Sequence, residues 1–299
     1  MISLHPVELT DKLWMDPLVW AEGSSSADFN FGNIYLWDTA FRQLVGRVND
    51  RVIVMPSYEE TPFFAMPIGK GDLRPVLDEM AAHAREAGIP LNIRGVTAEH
   101  LPMLQGIYGE RMQVTDERPV WDYLYSAESL ATLSGKHLHG KRNHINRFEA
   151  DYAGRWHYRA MTADDNAACL ALLENWNELN PDSADEDEDL AIRRGFDAFE
   201  ALQLEGGMLY LDDKLIAFTM GEQVCGHTVV VHFEKAFADI NGAYPMINRE
   251  FVRQIRALHP QIEWINREDD MGLDSLRQAK LSYHPAKMVE KYSVVIENE

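Results

Sequence analysis

Residues 207–236 read Gly207-Met208-Leu209-Tyr210-Leu211-Asp212-Asp213-Lys214-Leu215-Ile216-Ala217-Phe218-Thr219-Met220-Gly221-Glu222-Gln223-Val224-Cys225-Gly226-His227-Thr228-Val229-Val230-Val231-His232-Phe233-Glu234-Lys235-Ala236. Two runs, 207–211 and 214–222, flank Asp212-Asp213, a dipeptide suited to a tight hairpin turn, and a third run, 228–236, is dense in β-branched residues. The three predict an antiparallel meander. Upstream, 156–161 alternates as a short strand, and 163–177 carries Cys169, Leu172, Leu173 and Trp176 at helical spacing. After an acidic loop a second helix is expected over about 190–204. Downstream comes a helix over 245–258, with Pro245 suited to its first turn and Ile247, Phe251, Ile255 and Leu258 on one face. A strand at 262–266, a helix at 273–281 and a last strand at 291–296 complete the order β-α-α-β-β-β-α-β-α-β.

The first half repeats the latter part of this order. Strands are expected at 51–55 and 62–66, a helix at 73–87, a strand at 91–93, a helix at 98–105 and a strand near 111–114. The phrase Leu91-Asn92-Ile93-Arg94-Gly95 echoes Trp264-Ile265-Asn266-Arg267-Glu268. Internal similarity of this kind predicts two related domains. Both are α/β (α+β), each a mixed, mainly antiparallel sheet flanked by helices. They are placed at 1–134 and 156–299, joined by a basic helix at 135–155, with no low-complexity linker between them.

The chain has 299 residues and a formal charge of −20, which opposes nonspecific binding to nucleic acid or to anionic lipid, and no DNA partner is expected. Much of the excess lies at Asp182, Asp185, Glu186, Asp187, Glu188 and Asp189. Against it stands the run 136–147, with Lys136, Lys141, Arg142 and Arg147 and no acid. Lys136, Lys141, Arg142, Asn143 and His144 are candidate phosphate or RNA contacts; the plainer reading is a linker helix whose cations neutralise an acidic partner domain. Two cysteines, Cys169 and Cys225, are too few for a disulfide framework, and no metal-ligand spacing occurs, so no metal is expected. No run of about eighteen apolar residues and no secretory start are present, which predicts a cytoplasmic protein without a membrane-spanning segment.

Chemistry-bearing residues gather at two strand ends. Glu234 is the candidate catalytic residue, as a general base toward an attacking amine or as counter-charge to a cationic aminoacyl group. If the third meander strand splays from its neighbour, backbone N–H groups there would bind an acyl carbonyl. Asn266, Arg267, Glu268 and Asp270, with Lys280, Tyr283 and Lys235, form the expected substrate-binding set. The competing reading is an ion-pair network joining the acids to Arg267, Arg277 and Lys280. The segment 239–244 has one glycine and an aspartate where a coenzyme A pyrophosphate calls for several glycines and a basic residue, which disfavours acyl-coenzyme A.

A family resemblance covers nearly the whole chain. It is carried by Phe29-Asn30-Phe31-Gly32-Asn33-Ile34-Tyr35-Leu36-Trp37, Pro67-Ile68-Gly69, Asp122-Tyr123-Leu124-Tyr125, Gly135-Lys136, Lys141-Arg142-Asn143-His144-Ile145-Asn146-Arg147-Phe148, His232-Phe233-Glu234-Lys235-Ala236 and the stretch from Asn266 to Pro285. These resemble the phosphatidylglycerol lysyltransferase C-terminal domain family. The resemblance implies a tandem GNAT fold related to the Fem-type aminoacyltransferases, in which an activated aminoacyl group passes from a transfer RNA to an acceptor. Gly272-Leu273, Lys280 and Pro285 resemble a pattern shared by those enzymes. The candidate donors are aminoacyl-tRNA or acyl-coenzyme A, and the expected acceptor is a small amine or hydroxyl bound in a cleft between the domains. Lipid lysylation is not carried across, since the lipid-modifying members have a long membrane-embedded region before this domain, and the chain is closer to the soluble branch. The alternative expectation is a noncatalytic module of the same fold that binds a small molecule or aminoacyl ligand.

Overall fold

The computed structural model describes residues 2–59 and 61–297. The chain forms two compact units. One comprises the chain up to Asp122, Asp269–Leu273 and the chain from Met288 onward; the other comprises Tyr123–Glu268 and Asp274–Lys287.

The second unit is built on the expected meander, Glu205–Leu211, Lys214–Cys225 and Thr228–Ala236. Asp212 and Asp213 both take positive φ (49° and 60°), the conformation that closes a two-residue hairpin with the twist of its strands. Trp156–Ala160 pairs antiparallel with Glu205–Leu211 at one edge. At the other side Thr228–Ala236 pairs parallel with Trp264–Asn266, and that strand pairs antiparallel with Asp122–Ser126. Lys287–Val289 completes the seven-stranded order at this edge. Val229, Val230 and Val231 are buried, as β-branched residues in a central strand should be. The helix Ala243–Leu258 lays Met246, Ile247, Phe251, Val252 and Ile255 inward at helical spacing. Pro245 lies in its first turn, where the missing N–H leaves no bond unmade.

The basic segment is part of this unit. Its helix, His139–Asp151, contributes Ile145 and Phe148 to a core shared with Leu209, Ile216, Ala217, Ala236, Met246 and Ile247. The sequence places boundaries at 134 and 156, whereas the compact division falls at Asp122 and again within 268–288.

The first unit has two four-stranded sheets. Gln43–Val48 and Arg51–Pro56 form a hairpin flanked by His5–Pro6 and Ile68–Gly69. The other sheet runs Phe64–Ala65, Leu91–Thr97, Lys291–Ile296, Met112–Asp116. Its third member is the last strand of the sequence, which therefore belongs here rather than with 156–287. Val294 and Ile296 are buried in it, and Lys291, with no exposed surface, donates to Asp122 at 2.7 Å and pairs with Asp28 at 2.9 Å. Apolar alternation specifies a strand but does not say which sheet receives it. The sequence echo is structural: Leu91–Thr97 and Trp264–Asn266 each have a parallel neighbour on one side and an antiparallel one on the other.

Candidate functional site

The parallel ladder in the second unit is short. Thr228, Val229 and Val230 lie opposite Trp264, Ile265 and Asn266, and there it stops, while Thr228–Ala236 continues to Ala236. Toward the meander, Met220 faces Phe233 and Gly221 faces Val231, which leaves His232 as an extra residue on the long strand. Such a bulge re-aims the side chains beyond it. The chain after Asn266 turns away at once: Asn266 Oδ1 accepts the N–H of Glu268 at 2.7 Å, and Glu268 has φ 55°.

That turn sends adjacent residues to different partners. Arg267 Nη2 donates to Glu234 Oε1 at 2.9 Å, and Asn248 Nδ2 donates to the other oxygen, Oε2, at 3.1 Å. Glu268 goes instead to His232, which donates from Nδ1 to Glu268 Oε1 at 2.8 Å and from Nε2 to Glu222 Oε1 at 3.0 Å. Asn266 is fully buried. The side chains of Glu234 and Arg267 keep 8% and 14% exposure, so the pair is enclosed and both carboxylate oxygens are engaged.

Below Arg267, Lys280 Nζ donates to its carbonyl at 2.6 Å, and Tyr125 donates to the carbonyl of Lys280 at 2.8 Å. Tyr283, 5% exposed, offers its ring face to the Arg267 guanidinium at 4.9 Å and to Lys141 Nζ at 4.0 Å. Burial opposes the charge on Arg267, yet Glu234, Tyr125 and Tyr283 together hold its pKa above the ordinary guanidinium range. Lys141 is displaced the other way: burial and the Arg267 cation lower its pKa, against the pull of Glu234. Two buried polar atoms here have no hydrogen-bond partner, Arg267 Nη1 and Asn248 Oδ1. Buried polar atoms are nearly always paired, and both of these orphans belong to side chains that bond Glu234.

His232 has no exposed side-chain surface. Burial disfavours its charge, but hydrogen bonds from both rings nitrogens to Glu222 and Glu268 push its pKa up to about 9. At neutral pH it is an imidazolium clamped between two carboxylates.

Other expected members lie elsewhere. Lys235, next along the strand, has its Nζ on Glu188 at 2.7 Å and over the Trp176 ring at 3.8 Å. Asp270 belongs to the first unit, where it accepts from Arg118 at 3.0 Å and from the N–H of Gly272. Within the basic island, Arg142 donates to the carbonyls of Leu133 and Gly135, His144 bonds Asn241 Oδ1 at 2.8 Å, Asn143 bonds His139, and Lys136 is exposed. Gly242 closes the 239–244 turn with φ 94°, a conformation that suits glycine. Sequence reasoning missed Asn248 and His232. Asn248 left a signal, a polar residue four positions before Val252 on an otherwise apolar helical stripe. The placing of Lys141 over Tyr283 left none.

Both units carry the architecture of tandem GNAT proteins. A tandem GNAT protein from the clavulanic acid biosynthesis pathway matches the fold at a TM-score of 0.51, covering 100% of each chain at 10% identity. FemX matches at 0.63, covering 99% of this chain and 98% of its own at 9% identity. The chain belongs to the family described as phosphatidylglycerol lysyltransferase, C-terminal, which it matches over residues 22–295. A crystal structure of a conserved protein of unknown function from Bacteroides thetaiotaomicron is 34% identical, with TM-score 0.94 over 99% of this chain and 100% of that one. An uncharacterised protein from Mycoplasmoides gallisepticum is 28% identical over 180 residues, and the match spans 56% of its length. No helix among the described residues is long and apolar enough to cross a membrane.

Proposed function

We propose that the chain is an acyl- or aminoacyltransferase that passes an activated group to an amine or hydroxyl acceptor at the free end of Thr228–Ala236. The observation that carries this reading is the Asn248 Oδ1 orphan, 1% exposed as a residue, tied to Glu234 just beyond the last rung of the parallel ladder. An acceptor oxygen without a donor in a dry site suits the N–H of an amine or of an aminoacyl group. The strand runs on past the parallel ladder there, and its backbone N–H groups are the ones that would polarise a carbonyl. Family membership favours aminoacyl-tRNA as donor, and the single glycine before Ala243–Leu258 disfavours acyl-coenzyme A. Glu234 acts as the residue that positions Asn248 and Arg267, and orientation provides most of the acceleration.

The test is a transfer assay with the purified chain, labelled aminoacyl-tRNAs or acyl-coenzyme A as donors, and small amines and alcohols as acceptors. A labelled small product from one donor class is expected, reduced at least about tenfold in Asn248→Ala by loss of one buried hydrogen bond. Ligand-induced stabilisation without product from any donor would establish the noncatalytic binding module instead.

A further inference from the structure

Three features converge on the face of Tyr283. Lys141 comes from the helix His139–Asp151, Arg267 from the turn after Trp264–Asn266, and Tyr283 from the exit of Asp274–Leu281. Both cations lie over the Tyr283 ring, Lys141 Nζ at 4.0 Å and the Arg267 guanidinium at 4.9 Å from its centre. Like charges drawn together in a low-dielectric site oppose one another, and the fold alone has no need to bring them there. Glu234 attracts both of them, and its two oxygens are committed to Arg267 and Asn248. Arg267 Nη1 remains a buried donor without a partner. Lys141 Nζ sits over the Tyr283 ring at 4.0 Å from its centre.

We infer that Lys141 and Arg267 form an oxyanion-binding site over Tyr283, made for a carboxylate or a phosphate. Nη1 supplies a directed donor and Nζ a movable one, the pairing that suits an ion with two or more acceptor oxygens. The half-buried Lys141 borders solvent, so the ion enters on its side. A bound oxyanion removes the repulsion between the cations and gives Nη1 the partner it lacks. Carboxylate and phosphate have different sources: the first belongs to a small acidic substrate, the second to the backbone of a nucleic-acid donor. The site shares Arg267 with the proposed transfer centre but does not depend on turnover, because ion binding is read without any reaction.

The experiment titrates inorganic phosphate and, separately, acetate into the intact chain, followed by calorimetry and by the ammonium resonance of Lys141. At least one anion is expected to bind at millimolar concentration and to raise the Lys141 titration midpoint. Lys141→Met should weaken it about tenfold, the worth of one charge-assisted hydrogen bond; Lys141→Arg should restore it, and Lys214→Met, at an exposed hairpin, should match the unaltered chain. Preference for phosphate assigns the nucleic-acid source, and preference for acetate the acidic substrate. The inference is overturned if neither anion binds, or if the folded Lys141→Met protein binds as tightly as the original.

Discussion

Arg267 meets Glu234 at 2.9 Å one residue past Asn266, the last rung of the parallel ladder. The contact comes from two events on different strands: the His232 bulge re-aims the end of Thr228–Ala236, and the Asn266–Glu268 turn separates Arg267 from Glu268. Together they fill the gap between the strands with a charge pair instead of another rung, and Asn248 and Tyr283 close around it.

Removing one member of that pair leaves a mostly buried charge without its partner. Glu234→Gln should therefore destabilise the protein by about 3 kcal/mol or more. Combining it with Arg267→Met should cost less than the two single changes added together, because the double variant buries no lone charge. Urea denaturation of all three variants measures this; single variants within about 1 kcal/mol of the parent would show the pair to be solvated.

Stability should fall as pH rises toward 9. The folded-state pKa of His232 stands at about 9, raised from the ordinary 6.5, so its folded state binds the proton more tightly than the unfolded chain does. Its contribution is fully present below about 6.5 and is lost as pH climbs through 9, a change on the order of 3 kcal/mol. The denaturation midpoint measured from pH 6 to 9.5 should show this decline, and a His232→Gln variant should show a flatter profile over the same window. Equal slopes in the two proteins would remove His232 as the source.

Gly242 should tolerate no side chain. A Cβ there would lie 2.7 Å from the His144 carbonyl oxygen and 2.9 Å from Phe148 Cβ, at a backbone φ of 94°. Gly242→Ala should cost about 2 kcal/mol or more. Gly140→Ala, on the same helix as His144 with nothing within 4 Å of the added carbon, should be neutral or stabilising by up to about 1 kcal/mol. Thermal unfolding of the two alanine variants separates them.

In the first unit, Lys291→Met should cost about 3 kcal/mol or more. It would take the Lys291 cation from the Asp122 carboxylate, which has no exposed surface and also accepts the N–H of Ala27 at 2.8 Å. Limited proteolysis should show 291–296 released from its sheet at lower denaturant than in the parent. Unchanged protection would mean that Asp122 finds other partners.

Much of the local structure was legible in the residues. The meander, its Asp212-Asp213 turn and the helix with Pro245 in its first turn lie close to where periodicity and turn chemistry put them. The inward face of the basic helix, Leu138, Ile145 and Phe148, was legible for the same reason. Asp122–Ser126 was not read as a strand, and the last strand was placed with the wrong neighbours, because strand pairing joins residues far apart in sequence. At the site, Glu234, Arg267, Lys280 and Tyr283 do come together, while Lys235 and Asp270 point to other partners. One strand step moves a side chain to the opposite face, and one residue in left-handed conformation redirects its neighbours; neither event has a reliable mark in composition.

The sequence by itself determined most of the elements and their order, the doubling of a common plan and the family, since each depends on short-range periodicity or on matching residues along the chain. Tertiary structure alone decided which carboxylate faces which cation: that Arg267 takes Glu234, that Glu268 takes His232, and that Lys141 turns inward onto Tyr283. Those pairings depend on bulge, register and side-chain direction, and on the desolvation that makes a misplaced charge costly only once the chain has folded around it.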